Sequence, residues 1–98
     1  MTPYDERQYR LMLDRLQAYA EGKLGLDRLT DDIEGLLNAL EGADQAWVNA
    51  ATSAWAKLED SRAAVRGGYQ ADVAPVVQQG AETLTALVRS ALKDIPSQ

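Results

Sequence analysis

Apolar residues recur every third or fourth position along most of this chain, the spacing of one face of an α-helix, and no stretch alternates with period two. Tyr9, Met12, Leu13, Leu16, Tyr19 and Ala20 form the first such stripe and predict a helix over 3–21. Thr2 can cap it, Pro3 sits where a missing N–H costs nothing, Asp5 occupies the capping-box position, and Gly22 is a natural left-handed terminator. After the connector Lys23-Leu24-Gly25, the set Leu26, Leu29, Ile33, Leu36, Leu37 and Leu40 predicts a second helix over 26–41, ended by Gly42.

Asp44 is the expected N-cap of a third and longest helix, with Trp47, Val48, Ala51, Trp55, Leu58 and Val65 inward and the pair Gly67-Gly68 as its stop. Asp72 offers a cap for a fourth, in which Pro75 fits only the first turn. Its apolar stripe is Val73, Val76, Val77, Leu84, Leu87, Val88, Ala91 and Leu92, before Pro96. Gly80 should weaken this helix near its middle. Connectors this short favour antiparallel neighbours, so the expected fold is all-α, an antiparallel up-and-down bundle of about four helices in a single domain over 1–98.

Composition narrows the chemistry. With no His and no Cys among 98 residues, Ser-His and Cys-His triads, zinc sites of the usual N/S type, thiol redox centres and the Glu-x-x-His di-iron bundle are excluded. A hydrophobic fraction of 46% and a charged fraction of 26% are ordinary for a folded water-soluble domain and leave no room for an apolar membrane span. Met1-Thr2-Pro3-Tyr4-Asp5 has no basic segment followed by an apolar one, which gives the expectation of a cytoplasmic protein.

Charge adds more. The net charge of -5 arises in residues 24–46, where Asp27, Asp31, Asp32, Glu34, Glu41 and Asp44 meet Arg28 alone, whereas both flanks are balanced. Advancing about 100° per residue, Asp27, Asp31, Glu34, Asn38 and Glu41 fall within roughly 80° of one another, a polar ridge set off from the Leu and Ile stripe. Like charges at helical spacing cost a few tenths of a kcal/mol per contact, and at the four-residue spacing Asp32 alone has a partner within the helix, Arg28. Two readings follow: a solvated face that keeps the chain soluble, or a docking surface for a basic partner, extended by Asp44 onto the exit loop. Such a surface repels nucleic acid and anionic lipid, so neither is an expected partner.

Other residues carry less. Trp47 and Trp55 lie two turns apart on the inner stripe and read as core. Tyr19 and Tyr69, near helix ends, are the better interface candidates among the tyrosines. The neighbours Asp31-Asp32 and Glu59-Asp60 point about 100° apart and lack a third ligand, so neither an acid–base pair nor a metal site is expected, and catalysis is not. Gly22-Lys23-Leu24-Gly25 lacks phosphate-loop spacing, and no cofactor is expected.

The run Leu16-Gln17-Ala18-Tyr19-Ala20-Glu21-Gly22-Lys23-Leu24, followed by Leu29, Ile33, Leu36, Leu37 and Leu40 and then by Trp55 and Lys57-Leu58-Glu59-Asp60, resembles small helical immunity proteins of bacterial toxin systems, of the colicin and contact-dependent growth inhibition kinds. The resemblance implies a cytoplasmic antitoxin that binds and neutralises a cognate toxin domain, often a nuclease. It carries over no binding residue. The contact set Asp27, Asp31, Glu34, Asn38, Glu41 and Asp44 comes from the charge pattern. A helical secretion substrate of similar length would need a Trp-x-Gly turn, but the tryptophans here read Trp47-Val48-Asn49 and Trp55-Ala56-Lys57. The alternative function is a non-enzymatic helical assembly or secretion-associated module forming a homo-oligomer, for which the continuous Leu stripe of the second helix is suited.

Overall fold

The computed structural model of the chain describes residues 2–68 and 73–93. It contains four helices, α1 (Pro3–Ala20), α2 (Leu26–Ala39), α3 (Gln45–Arg66) and α4 (Ala74–Lys93). Each packs on its neighbours in the chain, and α1 closes the ring against α4, the arrangement of an up-and-down four-helix bundle. No strand occurs among the described residues, and no helix there is long and apolar enough to cross a membrane.

The expected punctuation explains the ends. Thr2 is the N-cap of α1, its Oγ1 accepting from the Asp5 N–H at 3.1 Å. At the other end Gly22 takes φ +76°, the Gly22 N–H donates to the Tyr19 carbonyl and the Lys23 N–H to the Ala18 carbonyl, a Schellman closure at the expected glycine, with Ala20 the last helical residue and Glu21 the cap. Gly68, at φ +81°, follows α3 with its N–H donating to the Val65 carbonyl. Pro75 does lie in the first turn of α4, whose first described hydrogen bond runs from the Val77 N–H to the Val73 carbonyl. Asp72, Tyr69 and Pro96 lie outside the described residues.

The core is built from Tyr9, Met12 and Leu16 of α1, Leu29 and Ile33 of α2, Ala51, Ala54 and Leu58 of α3, and Val77, Leu84, Val88 and Ala91 of α4. Each set comes from its expected stripe except Ala54. Val65 and Val76 do not join it; they are 55% and 43% exposed. Val76 and Val77 point about 100° apart on their helix, so only one can face inward. Both tryptophans border the core and fix main chain across the bundle: Trp55 Nε1 donates to the Thr30 carbonyl of α2 and Trp47 Nε1 to the Leu87 carbonyl of α4, each at 2.9 Å. The Trp47 ring also meets Tyr9 edge-on, centroids 5.1 Å apart.

Gly80 corrects an expectation. A Cβ there would stand 3.0 Å from the Ala54 carbonyl oxygen and 3.2 Å from the Lys57 Cβ, so its missing side chain lets α4 approach α3 closely. Its cost in helix propensity is offset by packing.

Candidate functional site

The acidic segment is held by both neighbouring helices, and they treat its two ends differently. At the start of α2, Asp27 and Asp31 face the last turns of the antiparallel α3. Arg62 Nη1 meets Asp31 Oδ1 at 2.5 Å and donates to the Asp27 carbonyl at 3.4 Å, Arg62 Nη2 is bound by Glu59, and Arg66 Nη2 meets Asp27 Oδ1 at 2.9 Å. The Arg62 side chain is only 12% exposed. Its hydrogen bond to Asp31, opposed by desolvation and aided by Glu59, holds its pKa above the ordinary guanidinium value, so the charge is permanent. Arg62 Nε is buried without a hydrogen bond, 3.8 Å from Asp27 Oδ1.

An uncompensated ridge along all of α2 is therefore not what the chain forms. Asp27 and Asp31 were expected to await a partner's cations, and they already have two from α3. Asp32 turns the other way and is shared by Arg15 of α1, at 3.1 Å, and Arg28, at 3.4 Å. The first half of the segment is thus close to neutral.

The second half is not. Glu34 and Asn38, on the C-terminal half of α2, are exposed, and their side chains have no ion pair or hydrogen bond among the described residues. The helix then stops at Ala39, two residues before its expected end, because Asp5 of α1 takes the next amides: its carboxylate accepts from the Glu41 N–H at 2.9 Å and the Gly42 N–H at 2.8 Å. Asp5 is 1% exposed. Glu41 consequently leaves the helical ridge and lies in the loop, its carboxylate exposed. Asp44 is the N-cap of α3, as expected, but its side chain makes no capping hydrogen bond and is also exposed. Glu34, Asn38, Glu41 and Asp44 are thus brought along one end of the bundle without an internal cation among the described residues.

Two residues that decide this division, Arg62 and Asp5, were not assigned such roles by the sequence pattern. Arg62 and Arg66 could have been found by laying α3 antiparallel to α2, which sets the cations at the end of one helix beside the acids at the start of the other. Asp5 gave no comparable signal, since its loop partners are backbone amides 36 and 37 residues away.

Two depressions complete the surface. A trough of about 1150 Å³ runs between α1 and α4 over Leu13, Leu16, Tyr19, Leu24, Ala81 and Thr85. A shallower notch of about 240 Å³ lies between α1 and α2, lined by Leu11, Arg15, Asp31, Asp32, Gly35 and Leu36. No protein-family model, no curated protein and no solved structure matches the chain.

Proposed function

We propose that this chain is a binding module of the immunity-protein kind, an inhibitor that neutralises a cationic protein, such as a nuclease toxin domain, by covering a basic surface. The observation that carries the reading is the group Glu34, Glu41 and Asp44, with Asn38 between them: carboxylates in series, exposed, with no ion-pair partner among the described residues, on an end of the bundle whose loop is fixed by Asp5. Carboxylates held in place without an internal partner steer and bind a positively charged surface. A nuclease is basic where it grips phosphate, which makes it a fitting target. Asp27 and Asp31 serve the fold in this reading and add a weaker, screened field at its edge.

The test is purification of the chain with the product of the adjacent reading frame, followed by two sets of substitutions. Glu34→Lys, Glu41→Lys and Asp44→Lys together should abolish a one-to-one complex, since charge pairs desolvated in an interface cost about 2–5 kcal/mol each when broken. Asp27→Asn with Asp31→Asn should leave the complex in place. A complex that survives the first set with unchanged salt dependence overturns the reading. The trough between α1 and α4 favours a second reading, self-association through its Leu13, Leu16, Tyr19 and Leu24 floor, which Arg10, Asp14, Glu82 and Arg89 border. Sedimentation separates the two, because a stable homo-oligomer of the isolated chain belongs only to the second.

A further inference from the structure

Gly35 is a glycine in the interior of α2, at a cost in helix stability relative to Ala, and nothing among the described residues makes use of its missing side chain: a Cβ there would meet no atom within 4 Å. Gly80, the other glycine inside a helix, has its reason in the approach of α3. Gly35 has none within the fold. It lies in the notch between α1 and α2, beside Leu36 and facing Leu11, which is 37% exposed although it stands in the middle of α1. Glu34, the next residue, is the carboxylate beside the notch that has no ion pair among the described residues; on the notch wall Asp31 is paired with Arg62, Asp32 with Arg15 and Arg28, and Arg15 also with Asp14.

We propose that this notch receives an apolar side chain projecting from the cationic partner, with Leu11 and Leu36 as its apolar walls, the paired Arg15, Asp31 and Asp32 closing its polar side and the open backbone of Gly35 as its floor, while the partner's lysines or arginines flank it on Glu34 and the acids beyond. The inference rests on the function proposed above and names the contact by which that partner is recognised. A depression of about 240 Å³ admits one large aliphatic side chain and excludes a helix. An apolar anchor inside a charged rim is the usual anatomy of an energetic centre in an interface. The absence of a Cβ lets the partner approach the helix backbone closely, and the unpaired carboxylate of Glu34, with Glu41 and Asp44 beyond, selects for a ligand that carries positive charge.

The test uses the full chain, labelled with ¹⁵N, titrated at low ionic strength with a lysine pentapeptide carrying a central leucine and with its central-alanine counterpart. Both peptides should shift the amides around Glu34, Asn38, Glu41 and Asp44, and the leucine peptide should in addition shift Leu11, Gly35 and Leu36 and bind roughly tenfold more tightly, as burial of a leucine side chain implies. Gly35→Leu, which fills the notch without changing charge, should remove the difference between the peptides. Gly35→Ala should narrow that difference while raising the Tm by about 2–8 °C, so that lost recognition is separated from lost folding. Equal affinity of the two peptides, or a difference that survives Gly35→Leu, overturns the notch and leaves the acidic surface standing. If neither peptide binds, the acidic surface fails and the notch with it.

Discussion

Asp5 is the residue on which the geometry of the acidic end depends, and its replacement gives a quantitative check. Its buried carboxylate accepts two backbone hydrogen bonds, from the Glu41 N–H at 2.9 Å and the Gly42 N–H at 2.8 Å, and those amides have no alternative acceptor among the described residues. Hydrogen bonds to a charged acceptor contribute about 1.5–3 kcal/mol each. Glu41 and Gly42 are exposed, so water replaces part of what is lost and the lower end of that range applies. Asp5→Ala should then cost about 3 kcal/mol, a large share of the roughly 5–15 kcal/mol of a domain this size. The Tm should fall by about 12–24 °C and the urea midpoint by about 1–3 M. Asp5→Asn keeps one acceptor oxygen but turns an N–H toward the second amide, and should recover no more than half the loss. Urea unfolding followed by the fluorescence of Trp47 and Trp55 measures both. A cost of Asp5→Ala below about 0.5 kcal/mol, the scale of an ordinary surface substitution, refutes the assignment of Asp5 as the clasp of the loop.

Further outcomes follow from the same contacts. Gly80→Ala should destabilise the bundle by about 1–3 kcal/mol in chemical denaturation despite its better helix propensity, because the new methyl must displace α4 from the Ala54 carbonyl. Tyr9 has its pKa raised above 10.0 by burial and, secondarily, by the nearby charge of Asp5. The folded state thus holds the phenolic proton longer than the unfolded chain, and stability should fall as pH climbs past about 10. Tyr9→Phe should flatten that decline in thermal scans taken between about pH 9 and 11.

The helices were legible in the sequence because their signals are local. The apolar spacing, the Thr2 cap, Gly22 and the first-turn proline each act within a few residues, and each takes the expected role. The end of α2 was not, because what stops it is a carboxylate from the start of α1; without Asp5 the Leu36-Leu37-Leu40 spacing reads straight on to Glu41. The acidic ridge was half legible for a similar reason. A residue count along one helix places Asp27 and Asp31 on a common face but says nothing of what a neighbouring helix presents to that face. Only the pairing of α2 with α3 brings Arg62 and Arg66 to them. Gly80 misled in the same way, since a propensity scale registers its cost and omits the helix lying against it.

The division of the acidic segment follows from the charge pattern of α3 once the two helices run antiparallel. Trp55 reaches the Thr30 carbonyl and Arg62 reaches Asp27 and Asp31, so the last turns of α3 lie beside the first turns of α2. Those last turns carry Arg62 and Arg66. The stretch of α3 that lies toward the other end of α2, residues 45–56, contains no charged residue at all, only Gln45, Asn49, Thr52 and Ser53 as polar positions. A bundle that needed every acid of α2 compensated could have placed a lysine at any of these exposed sites. The interior of the fold does not depend on it, since the core there is closed by Ala51, Ala54 and the two tryptophans. Compensation by α3 is confined to the end where Arg62 is itself largely buried and requires partners, and at the opposite end Glu34, Glu41 and Asp44 are exposed with no ion pair among the described residues. The helix beside this surface supplies it no cation, which is the premise of the proposed binding of a basic partner.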